Sequence, residues 1–243
     1  MISTMEDQRA GSSLPDWGQE RVDVPGVGSR AWRLVALFGF VPVLLLFLLP
    51  AGAAPLVVAG LFALYCLGVV AWVRSQGSRA LRAVGARPGR AGELARLESL
   101  VQGLASDLGI PPPDLLVTDE HGPNALVAKR SGHVVVVTAD LARDFSRTEL
   151  EAVLAHCLVR IASDQVAAAQ VGLAMGPLGA GLGGLTGGSD DVLTAGVTRY
   201  PPALASAIKR CEPRRGGTAA LWFVAEGPSH VPVAQRIAVL QDL

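Results

Sequence analysis

Residues 34–73 contain no Asp, Glu, Lys, Arg or His, and this charge-free interval limits the fold more than any other feature of the chain. A hydrocarbon core takes roughly 20 apolar residues per helical crossing, so the interval has room for two crossings. Residues 34–49 and 55–73 are the candidate spans, joined by a short turn at 50–54. A buried core helix of a soluble protein keeps a polar edge, and a secretory signal does not carry a second apolar run directly behind it. The expectation is a transmembrane helical hairpin over residues 31–74, with the lipid bilayer as its partner. Arg21, Arg30 and Arg33 precede the first span, and Arg74, Arg79, Arg82, Arg87 and Arg90 follow the second, while the turn between them is uncharged. The positive-inside rule then places both flanks in the cytoplasm, as in a multi-pass protein of the cytoplasmic membrane. Trp32 and Trp72 stand at the span ends, where aromatic anchors are expected.

The remainder of the chain divides around this hairpin. Residues 1–30 are polar, rich in Gly, Ser and Asp, and without apolar periodicity, which predicts a disordered cytoplasmic tail. Residues 75–243 form the globular part. Its Lys+Arg and Asp+Glu totals are drawn from a balanced 21 and 21 over the whole chain, which argues against a nucleic-acid partner. Three cysteines, Cys66, Cys157 and Cys211, are odd in number and lack metal-ligand spacing, so neither disulfides nor a cysteine metal site is expected.

Apolar residues at 94, 97, 101, 104 and 108 recur at helical spacing, and Gly109 with the proline run 111–113 ends that helix. A short strand follows at 115–118. Two β-branched runs, 126–129 and 133–138, flank Arg130-Ser-Gly132 and read as a hairpin in a small antiparallel sheet. Ser146 and Glu149 form a Ser-x-x-Glu capping box opening a helix that runs through Ile161. Residues 165–189 are again uncharged, but rich in Gly and Ala. A third span, a re-entrant piece and a surface loop all fit the 166–188 insert. Residues 191–210 read as helical with a break at Pro201-Pro202, and residues 231–243 as a last short helix.

Several of these segments, in this order, resemble the HtpX-type membrane zinc metallopeptidases. They are Pro123-Asn-Ala125, residues 135–141, residues 147–156, Asp191 with residues 198–207, and residues 230–240 with their His-Val-Pro-x-x-x-Arg-Ile pattern. The resemblance implies an α+β fold: the hairpin, then a mainly helical metallopeptidase-like domain with a small sheet. It also implies an H-E-x-x-H zinc helix, in which two histidines one turn apart hold the metal and a glutamate takes a proton from water. Here that stretch reads His156-Cys-Leu-Val-Arg160. A thiol at Cys157 differs from a carboxylate in reach and pKa, and Arg160 has no lone pair to offer a metal. The family's third ligand, a glutamate two residues before Asp191, falls on Ser189. A catalytic zinc needs three protein ligands, so no cofactor and no intact catalytic group are expected.

Taken together, the residues and the resemblance imply a catalytically inactive relative that binds or regulates membrane-protein or peptidase clients. An extended client peptide would add to an edge strand formed by His133, Val134, Val135, Val136, Val137 and Thr138. An active metalloendopeptidase with an altered centre and a structural subunit of a membrane complex are the alternatives. Arg160, on the inward face with His156, is expected to be buried against a carboxylate: Asp191, or Asp164 one turn further along the helix.

Overall fold

The computed structural model describes residues 55–90, 92–176, 188–227 and 230–243. The polar tail, the first apolar run and the turn at 50–54 lie outside the described residues, as does most of the Gly-rich stretch. Within them, the second apolar run forms helix α1, Pro55–Ala83. Its part from Ala59 to Ala83 is long and apolar enough to cross a membrane, and none of its apolar window is buried among the described residues. The helix does not stop at Arg74. It continues without a break into the domain, where Ala80 and Leu81 enter the core.

Helix α2, Ala95–Asp107, carries the expected stripe, burying Leu97, Leu100, Val101 and Leu104. Gly109 follows with φ +64°, a left-handed turn in which glycine carries no steric penalty. Strands β1 (Asp114–Thr118), β2 (Ala125–Lys129) and β3 (His133–Thr138) come next. The order is β1-β3-β2, with β1 parallel to β3 and β2 antiparallel to it. The sheet is therefore mixed rather than antiparallel. A second correction follows: β3, read above as a peptide-receiving edge, is the central strand. Its four valines are fully buried and its main chain is paired on both sides. A run of consecutive β-branched residues is the mark of a strand covered on both faces, and that signal outweighs the hairpin geometry that suggested an edge.

The two true edges are largely taken by the chain itself. Arg87 pairs with Val117 of β1 through both main-chain groups, and Trp222 bridges to Leu126 of β2 while Phe223 N donates to Ala125 O. Asn124 fixes this last contact. Its side-chain amide donates to Glu212 O and Val224 O and its oxygen accepts from Val224 N, fully buried.

Helix α3 (Ala139–Asp144) leads to α4 (Arg147–Ala162), the central helix, which is buried on every side from residue 152 to 161. The predicted capping box is present: Ser146 Oγ accepts from Glu149 N, and the Glu149 carboxylate accepts from Ser146 N. Glu149 also accepts from Ser206 and from Arg210 at 2.6 Å, tying α4 to α7. Burial pushes the Glu149 carboxyl up, but those hydrogen bonds outweigh it and hold it at about 2. The unfolded chain binds this proton first, so the stabilisation is complete above the ordinary value of 4.5 and disappears as pH falls toward 2. Acid titration of the thermal midpoint is expected to fall across that window, and Glu149→Gln to flatten this limb of the curve.

Helix α5 (Gln165–Ala174) leaves α4 at a 76° bend. The bend turns on Asp164, which takes a left-handed φ of 55° and is exposed. Helices α6 (Gly188–Thr198) and α7 (Pro201–Arg210) replace the single broken helix expected over 191–210. Arg199, at φ +53°, makes the break, and the two prolines occupy the first positions of α7, where a missing N–H costs nothing. A 3₁₀ turn at Ala219–Leu221 and helix α8, Val233–Gln241, complete an α+β fold that is mostly helical.

Candidate functional site

The site is built on α4, because that helix carries His156, Cys157 and Arg160 into the middle of the domain. His156 is 1% exposed and meets the Phe223 ring edge-on, with centroids 4.9 Å apart. Its Nδ1 lies 3.3 Å from Asp191 Oδ1, though without the alignment of a hydrogen bond. Burial lowers the His156 pKa more than Asp191 raises it, so the ring is neutral at pH 7. Cys157 is buried in apolar surroundings that push its thiol up to about 12. A thiol so reluctant to ionise serves neither as a base nor as a nucleophile near neutrality. Burial pushes the Cys211 thiol up as well, and all three cysteines are free.

Asp191 does not meet Arg160. It is held instead by Arg236 from α8 in a two-pronged pair, Nε to Oδ2 and Nη2 to Oδ1, each 2.7 Å, with both residues under 5% exposed. Arg236 completes its contacts by donating to Phe223 O at 2.9 Å. Burial raises the Asp191 pKa, but the hydrogen bonds and charge of Arg236 hold it below the usual carboxylate value. The expected Arg160–Asp191 bridge is therefore corrected, and so is its alternative, since Asp164 is solvent-exposed. Arg160 is buried, at 3% exposure, yet its guanidinium donates to three successive main-chain carbonyls: Ala220 O at 2.6 Å, Trp222 O at 3.3 Å and Leu221 O at 3.4 Å. Among the described residues no carboxylate lies within ion-pair distance of it, and burial lowers its pKa, opposed by the charge of nearby Asp190. The carbonyls of one tight turn thus do what a carboxylate was expected to do.

Around these groups lies a cavity of about 10 Å³, bordered by His156, Arg160, Asp190, Phe223 and His230. Five polar atoms of these residues lack a partner among the described residues: His156 Nδ1, Arg160 Nε, Asp190 Oδ2 and both ring nitrogens of His230. The space suits a single water, which can both donate to and accept from such a set. Zinc does not fit these residues. A permanent cation stands one turn from His156, the third ligand position is Ser189, and among the described residues no three His, Cys, Asp or Glu side chains are placed to hold a metal. Ser189 falls in the first turn of α6, its side chain outside the described part.

Of the residues singled out from sequence, the structure brings together His156, Arg160 and Asp191. It leaves His133 to Thr138 elsewhere, inside the sheet. Asp190 was missed as a site residue, while His230 and Arg236 belong to the 230–240 pattern singled out from sequence but were not assigned to the site. Arg236, as the arginine of that pattern, had a legible signal. His121 is exposed, and Asp119, also exposed, accepts from Arg87 at 2.7 and 2.9 Å.

A central buried helix, a three-stranded mixed sheet on one side of it and an aspartate-bearing helix packed against it frame this site. Residues 92–175 match Peptidase family M48. The chain is 39% identical to a Protease HtpX homolog of Halobacterium salinarum over 94 residues, covering 38% of this chain and 32% of that protein. It is 40% identical over 76 residues to the Protease HtpX homolog of Thermococcus sibiricus (30% and 26% of the two chains) and 38% identical over 88 residues to that of Dictyoglomus turgidum (33% and 29%). Across this segment the chain is similar to the HtpX-type peptidases of family M48. The matched part is about a third of the length of these relatives. No solved structure matches the chain.

Proposed function

We propose that this chain is a membrane-anchored, non-cleaving member of the HtpX-type family that binds or regulates a membrane-protein or peptidase client. One observation carries the reading: Arg160, a permanent cation with no lone pair, is buried where the second metal-binding histidine would stand, one turn from His156. Protein function then rests on binding, with no cofactor and no nucleic-acid partner. The uncovered apolar length of α1 supports anchoring in the bilayer, with the domain on the cytoplasmic side of a multi-pass protein. Client capture by strand addition at β3 is set aside, since that strand is paired on both sides.

The test is metal content and proteolysis on the same preparation. Full-length protein purified in mild detergent is expected to hold far less than one zinc per chain, to leave unfolded casein intact with or without added zinc, and to keep its thermal midpoint in chelator. Stoichiometric zinc with chelator-sensitive casein cleavage would falsify this reading.

A further inference from the structure

We propose that the end of α5 and the β2–β3 turn form a second membrane-contacting surface, beside α1, whose partner is anionic phospholipid headgroup. The inference rests on the reading of α1 as a membrane span and locates the domain relative to it. Three contacts set the geometry. Trp72 Nε1 donates to Ala174 O at 3.1 Å. Five residues further along α1, Gly77 abuts the Lys129 carbonyl and the Gln170 amide, and Gln170 Nε2 donates to that same carbonyl at 2.7 Å. Going from Gln170 to Ala174 thus matches going from Gly77 back to Trp72, so α5 runs antiparallel to α1, toward its charge-free part. Helix α5 has no charged residue, and Val171, Leu173, Ala174 and Met175 are each only half-buried at the level of Trp72.

The β2–β3 turn sits one step higher. Gly77 is about 7 Å above Trp72 by helical rise, and the headgroup layer on each side of a bilayer is of about that thickness. The backbone of Lys129 is therefore at phosphate height when Trp72 is at the edge of the hydrocarbon. Lys129 and exposed Arg130 are at the tip, and Arg74 and Arg79 project from α1 in the same layer, with Arg79 stacked 3.9 Å over the Trp72 ring. Asp114 pairs with Arg130 at 3.4 Å, but that contact is open to solvent and leaves the layer basic. An apolar helix end below and basic side chains above match the profile of a lipid monolayer with anionic headgroups.

The test uses full-length protein in nanodiscs, with an environment-sensitive fluorophore at single accessible cysteines in a Cys66→Ala background that keeps only buried Cys157 and Cys211. Labels at Leu64→Cys and Met175→Cys are expected to be quenched by brominated lipid, and one at Glu98→Cys not. Quenching at 64 without quenching at 175 overturns this inference while sparing the spanning reading; no quenching at 64 overturns both. In parallel, amide exchange at residues 129–133 is expected to be slower by about fivefold or more in discs containing phosphatidylglycerol than in phosphatidylcholine alone. The paired variant Lys129→Glu, Arg130→Glu should abolish that difference. Equal exchange of the native chain in both lipids overturns the headgroup assignment.

Discussion

Asp191→Ala is expected to lower folding stability by about 3–5 kcal/mol, the usual cost of stranding one partner of a buried ion pair. The loss comes chiefly from Arg236, whose Nε and Nη2 both donate to this carboxylate in a region under 5% exposed. Phe223 O would remain its single partner. His156 would lose its nearest charged neighbour as well, but a neutral imidazole is a smaller debt than a guanidinium. Arg236→Met should cost a similar amount by stranding Asp191. The double variant Asp191→Ala, Arg236→Met should cost less than the sum of the two, because the second change removes the charge that the first left unpaired. Arg160→Met should be milder than any of these single changes. It removes a buried cation that has no carboxylate partner among the described residues, and the Ala220, Leu221 and Trp222 carbonyls it leaves are neutral, so no charge is stranded. Denaturant titration in detergent measures all four. If Arg160→Met proved the most damaging and Asp191→Ala nearly silent, the assignment of Asp191 to Arg236 would be wrong.

The local elements were legible because each has a local cause. The Ser146–Glu149 box, the stripe of α2 and the glycine that ends it depend on neighbours within one or two turns, and all three are present. The sheet was legible in its strands but not in its order. Nothing in the residues 115–118 says whether they pair with 126–129 or 133–138, since pairing is settled by tertiary packing. Four consecutive buried valines in β3 did carry the answer, as a strand covered on both faces must lie inside the sheet. The site failed in the same way. Sequence placed Arg160 on the inward face of α4 and predicted its burial, which is a helical-period argument. It could not foresee that Ala220, Leu221 and Trp222 would offer carbonyls, because backbone acceptors leave no mark in a sequence. With Arg160 satisfied there, Asp191 was free for Arg236, forty-five positions away.

Gly77→Ala and Gly103→Ala should move stability in opposite directions, although both replace a helical glycine by the best helix former. In the interior of an exposed helix this exchange is worth about 1 kcal/mol in favour of alanine. Gly103 lies on the solvent face of α2 with open space where its Cβ would go, so that gain should appear nearly whole. At Gly77 the added carbon would run into the Lys129 carbonyl and the Gln170 amide, one of them backbone that cannot rotate aside. Either α1 moves off β2 or the Gln170–Lys129 hydrogen bond breaks. Overpacking of this kind costs about 1–3 kcal/mol, and the broken bond about another 1, so the net loss should be about 2 kcal/mol after the propensity gain. The consequence reaches beyond stability. Gly77 is where the helix that leaves the apolar run is clamped between sheet and α5, so Gly77→Ala should also raise amide exchange at residues 129–133 and 168–174, while Gly103→Ala leaves those segments unchanged. Equal and stabilising shifts from the two variants would mean that α1 does not pack against the β2–β3 turn as closely as Gly77 requires.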